Sequence, residues 1–138
     1  MIRRTALAAF AAAAGLFAGS ASLADTAIDG VWRNPKNSVH VKIAACGANA
    51  ACGNVIWASE KARRDSLEGS GKELVGLQLF RDFVHQASGN WKGKVFVPDI
   101  NATFNGTAVQ VDGSTLRARG CLVGGLLCKT QVWRKIEG

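Results

Sequence analysis

Residues 103–134 read TFNGTAVQVDGSTLRARGCLVGGLLCKTQVWR, and this stretch decides the fold class. Asp112-Gly113 is a tight-hairpin signal between two strand-like runs, Thr103 to Val111 and Ser114 to Cys121. A final strand, Leu127 to Arg134, follows. Between the last two, Cys121 and Cys128 enclose Leu122, Val123, Gly124, Gly125, Leu126 and Leu127, and diglycine suits the positive φ values of another hairpin turn. With the glycines central, Cys121 faces Cys128 on a hydrogen-bonded pair, whose Cα separation of about 5.5 Å lies within disulfide range. A longer loop is the alternative. In the diglycine register Leu122 and Leu127 share one face, while Cys121, Val123, Leu126 and Cys128 share the other.

Upstream, the same alternation of short runs and turns continues. Ile28 to Arg33 is strand-like and ends at the turn Asn34-Pro35-Lys36-Asn37. In Ser38 to Ala44, Val39, Val41 and Ile43 fall on one face, and His40 and Lys42 on the other, so His40 is expected to point outward. Cys52 to Ala58 is the next strand. Ser59 to Lys72 is charged and glycine-bearing, with room for a short helix over Glu60 to Ser66. Leu74 to His85 and Trp91 to Val97 return to strand character, separated by Ser88-Gly89-Asn90 and followed by Pro98-Asp99-Ile100-Asn101 as a turn. The whole reads as all-β: an antiparallel meander of about eight strands closing into a small barrel. A flattened sandwich is the alternative.

The chain begins with Arg3 and Arg4, an apolar run from Ala6 to Ala18, and small residues up to Ala24, the order of a secretory signal peptide. Residues 1–24 are therefore expected to be cleaved, leaving 25–138 as a single β-barrel domain, periplasmic or secreted. No later run reaches the roughly 20 apolar residues that span a bilayer as a helix. Losing Arg3 and Arg4 lowers the net charge from +7 to +5. In an exported protein that balance suits anionic lipid, polysaccharide or wall polymer rather than nucleic acid.

Four cysteines remain, in two local pairs, Cys46 with Cys52 and Cys121 with Cys128. An even count in a small exported chain reads as disulfides. Of three connectivities the local one is preferred, each loop of 7 or 8 residues then contributing about 2.5 kcal/mol. Neither pair is C-x-x-C, and His40 and His85 lie in separate segments, so neither a metal site nor a redox dithiol is expected. No cofactor is implied.

The runs GVWRN, VHVKIAACGANAACGNVIW and GNWKGKVFVPDINATFNGTAVQVDGSTLRARGCLVGGLLCKTQVWRK resemble the bacterial exported family known as domain of unknown function 2147. The resemblance is specific at the cysteine-glycine pair, the tryptophan-lysine-glycine strand with its proline-aspartate turn, and the arginine-glycine-cysteine to tryptophan-arginine ending. It implies a periplasmic or secreted barrel-like domain, and no particular activity. The tyrosines often found around that turn and the glycine within it are absent here, where the chain reads Phe96, Asn101 and Phe104. A weaker resemblance is to lipocalin-type barrels, where a glycine-x-tryptophan on the first strand packs beneath a basic residue of the last. Gly30, Val31, Trp32 and Arg134 match those parts, implying closure through a cation-π contact between Trp32 and Arg134.

Function is expected to be non-enzymatic: binding of a small or lipid-like ligand in or at the mouth of the barrel. The apolar tip Leu122, Val123, Leu126 and Leu127 is the candidate contact, and Arg117 and Arg119, with Lys92 and Lys94, form a basic face if their strands lie close. The alternative is a protein-interaction or inhibitor module presenting the stapled hairpin to an envelope partner. A hydrolase has the least support, because His40, His85, Asp65, Asp82 and Asp99 form no recognisable nucleophile–base or paired-carboxylate motif. A monomer is expected. Asn101-Ala-Thr103 and Asn105-Gly-Thr107 match a glycosylation pattern that the bacterial resemblance makes irrelevant.

Overall fold

The structure, a computed structural model, describes Gly15, residues 28–122 and residues 127–138. Eight strands form: β1 (Gly30–Arg33), β2 (Val39–Gly47), β3 (Ala50–Ala58), β4 (Gln78–His85), β5 (Trp91–Val97), β6 (Ala102–Asp112), β7 (Thr115–Cys121) and β8 (Cys128–Glu137). Each pairs antiparallel with the next, and β8 returns to β1 through Val31↔Glu137 and Arg33↔Arg134, so the sheet is a closed barrel rather than a sandwich. Closure removes both edges that an open meander would expose.

The core comes from one side of each strand. Val41 and Ile43, Ala51 and Val55, Phe80 and Phe83, Trp91, Ala108, Leu116 and Ala118, and Trp133 are all buried. Trp32 is fully buried, and its Nε1 donates to Ile28 O at 2.8 Å, so the indole enters the core without an orphaned N–H. Phe80 meets Phe83 and Trp133 edge-on, at centroid separations of 5.7 and 5.2 Å. A void of about 10 Å³ remains between Ile28, Ile43, Phe80, Phe83 and Leu116, room for one water at most.

Between β3 and β4 lies α1 (Glu60–Ser70), longer than the expected Glu60–Ser66. Ser59 caps it, its side chain accepting from Ala62 N, and Gly71 ends it in the left-handed conformation, its N–H bonded to Leu67 O at 2.9 Å. Within its last turn Gly69 lies against the backbone of Asp99, where a Cβ would not fit. The run expected as a strand from Leu74 becomes one only at Gln78, since Gly76 takes a φ of 91° and forms a turn bonded to Val55. At the other end β8 outruns its expected limit at Arg134, because pairing with β1 holds it to Glu137. No helix among the described residues is long and apolar enough to cross a membrane.

Both local disulfides are present, with Cα separations of 5.6 Å for Cys46–Cys52 and 4.1 Å for Cys121–Cys128. Cys121 faces Cys128 as the sequence implies, but on the narrow, non-hydrogen-bonded kind of pair. The hydrogen bond runs instead from Leu122 N to Leu127 O, at 3.5 Å. The turn itself, residues 123–126, lies outside the described residues. Val123 and Leu126 lie outside the described residues, as do the expected signal-peptide segment, Gly15 apart, and its cleavage point.

Candidate functional site

The β4–β5 ladder holds the local irregularity that builds the site. Arg81 pairs with Lys94 and Val84 with Lys92, so Asp82 and Phe83 together oppose Gly93. Two residues against one is a β-bulge, a device that re-aims side chains. Phe83 turns into the core, while Asp82, at a φ of 50°, is exposed outside. Gly93 permits this arrangement: a Cβ there would lie 2.6 Å from Arg81 O and 2.6 Å from the Phe83 ring. Gly106, its partner on β6, is kept bare by the other edge of that ring and by Val95.

Around these glycines the outer surface forms an open concavity of about 590 Å³, lined by Asp82, Lys92, Gly93, Lys94, Asn105, Gly106 and Thr107. Its size falls in the range of small-molecule sites. The Lys94 ammonium donates to the Asn105 side-chain oxygen. The register continues the same face across the barrel: Lys92 is level with Thr107, Thr107 with Arg119, and Arg119 with Thr130, while Arg117 pairs between Val109 and Val132. Lys92, Lys94, Arg117 and Arg119 are all exposed. One strand separates the lysines from the arginines, about 10 Å at ordinary strand spacing. The basic face conditional in the sequence is therefore formed. The ion pairs of the described residues, Lys61–Asp65 at 2.8 Å and Arg63–Glu73 at 3.8 Å, lie on or beside α1 and neutralise none of it.

Other expected sites fare differently. The cation over Trp32 is Lys135, at 5.2 Å from the ring, and not Arg134. The reason is strand parity: Trp133 is buried, so Lys135 shares its side of β8 while Arg134 points out, donating to Thr115 Oγ1 at 2.8 Å. Asp112 lies beyond Arg134, and the Ser114 backbone N–H, first among its partners, holds its carboxyl below the usual range. His40 sits on the outer face against Trp57, ring centroids 4.5 Å apart, with Nε2 2.7 Å from Asn37 Oδ1. Partial burial, reinforced by Arg33, lowers its pKa from the ordinary 6.5. His85 is exposed and rests on Trp91. Of the apolar tip, Leu122 is 37% exposed and Leu127 78%. Cys46, Cys52 and Asp82 present ligand-type atoms within 4.8 Å of one another, but both sulfurs are joined in a disulfide and offer no thiolate.

The sequence does not mark Asn105, Thr107 and the two glycines as binding residues, and it offers Asp82 only as a possible hydrolase carboxylate. The available signal was the break in alternation at Phe80-Arg81-Asp82-Phe83, where two aromatics three apart cannot both face inward without a bulge.

Residues 30–135 match the family described as "Uncharacterized protein conserved in bacteria (DUF2147)". The chain belongs to this family. Among solved structures, the DUF2147 barrel is similar to protein HP1028 of Helicobacter pylori, described as belonging to the lipocalin family. The TM-score is 0.64 at 16% identity, over 78% of this chain and 82% of that one. At that identity the likeness is one of fold. No curated protein matches the DUF2147 chain in sequence.

Proposed function

We propose that this DUF2147 protein is an exported, non-enzymatic envelope protein that binds a small anionic ligand, free or lipid-like, on the outer wall of its barrel. The observation that carries the reading is the open concavity over Gly93 and Gly106, with Lys92 and Lys94 at its rim and Arg119 and Arg117 across β6. An eight-stranded barrel either fills its interior with side chains or keeps room for one small ligand. Here the void is about 10 Å³, so a ligand inside the described barrel has no place and the outer face is the better site. The two disulfides support a periplasmic or secreted setting. The test is binding of inorganic phosphate followed by the backbone amide signals of Gly93 and Gly106. Lys92→Gln with Lys94→Gln should weaken it at least threefold, on the scale of about 1 kcal/mol for exposed charge pairs. Raising the salt concentration should weaken the native protein in the same direction. Unchanged affinity in the double variant would refute the reading.

A second reading, a protein-interaction module, is favoured by Leu127, the most exposed large apolar residue described, at the end of a disulfide-tied hairpin. Capture of an envelope partner should then be lost in Leu127→Ser with the phosphate signal intact.

A further inference from the structure

The outer concavity holds one group that an anion site has no use for. Asp82 stands level with Gly93, on the strand next to Lys92 and Lys94 and between their two levels. A carboxylate so placed would ordinarily pair with a lysine, yet no ion pair within 4.0 Å joins Asp82 to either, and Lys94 turns to Asn105 instead. Asp82 is also held in a left-handed conformation that aspartate tolerates but does not prefer, by a bulge that depends on Gly93. Backbone strain of this kind collects at functional sites. The result is one concavity with positive charge along one side and an unneutralised negative charge along the other.

We propose that the site takes a dipolar ligand, a phosphate-type anion joined by a short chain to a primary ammonium. The anion lies toward Lys92, Lys94 and Arg119, and the ammonium toward Asp82. Asn105 and Thr107, on β6 between the lysines and Arg119, flank the anion as neutral hydrogen-bonding groups. This rests on the anion-site reading above and adds the ligand's second charge. Such chemistry occurs in a free phosphoamine and in a zwitterionic lipid headgroup.

The experiment titrates the full protein with inorganic phosphate and, separately, with O-phosphoethanolamine, following the Gly93 and Gly106 amides. The native protein should bind O-phosphoethanolamine about threefold more tightly than phosphate, the scale of one exposed ion pair. Asp82→Asn, which keeps a residue tolerant of the left-handed conformation, should erase that preference while binding phosphate at least as well. Its thermal unfolding checks that the bulge is retained. Equal affinity for both compounds in the native protein, or a preference that survives Asp82→Asn, overturns the dipolar ligand and leaves the anion site standing. No response to either compound overturns both. Co-sedimentation then separates the sources. Binding to vesicles of phosphatidylcholine with phosphatidylethanolamine, beyond that to phosphatidylcholine alone, supports the headgroup, and soluble binding without vesicle capture supports the free molecule.

Discussion

Lys135 and Arg134 are adjacent basic residues with opposite fates, because successive side chains on a strand face opposite ways. Only Lys135 lies over the Trp32 ring, so a double-mutant cycle of Lys135→Gln with Trp32→Phe should show a coupling of about 0.5–1 kcal/mol, measured by urea unfolding. The cycle with Arg134→Gln should show none. Parity with Trp133 was legible in the sequence, and the lipocalin-type resemblance pointed past it to the wrong neighbour. His40 makes a pH prediction. Its folded-state pKa lies below 6.5, so just below that pH the unfolded chain binds more protons and stability rises with pH. The contribution is complete above 6.5 and is lost as pH falls through the folded value. His40→Gln should flatten this part of the stability profile, as read from urea midpoints at successive pH values.

At the level of elements, alternation and turn signals located all eight strands, while most of their ends depended on partners elsewhere in the chain. The β4 bulge shows why. Gly93 reads as an ordinary strand glycine until β4 is laid beside it, when its missing Cβ becomes the space occupied by Arg81 O and the Phe83 ring. Gly93→Ala should therefore destabilise the barrel by about 1–3 kcal/mol in denaturant unfolding, as overpacking does. Gly113→Ala, at the β6–β7 turn where a Cβ would meet nothing within 4 Å, should be close to neutral. The same comparison tests the site, since moving the bulge displaces Asp82. Helix α1 had a legible start, Ser59 before Glu60, but it runs past the expected Ser66 to Ser70, where Gly69 packs against the backbone of Asp99, remote in sequence.

For the molecule as a whole, the decisive property is the filled interior. The native barrel should not enhance the fluorescence of an apolar dye through interior binding. Phe83→Ala should cost about 3–5 kcal/mol and open a dye-accessible apolar cavity beneath Gly93 and Gly106. Enhancement in the native protein that Phe83→Ala leaves unchanged would count against this account. The amino-acid sequence by itself determined the class of fold, the preference for local cysteine pairs and the shared strand face of Lys92 with Lys94 and of Arg117 with Arg119, because these follow from a two-residue period and from short loops. Whether the barrel is hollow depends on how Trp32, Phe80, Phe83 and Trp133, distant along the chain, share one volume. Whether Asp82 joins the lysines depends on a register shift between two strands. Both are properties of contacts between segments, and only the tertiary structure could decide them.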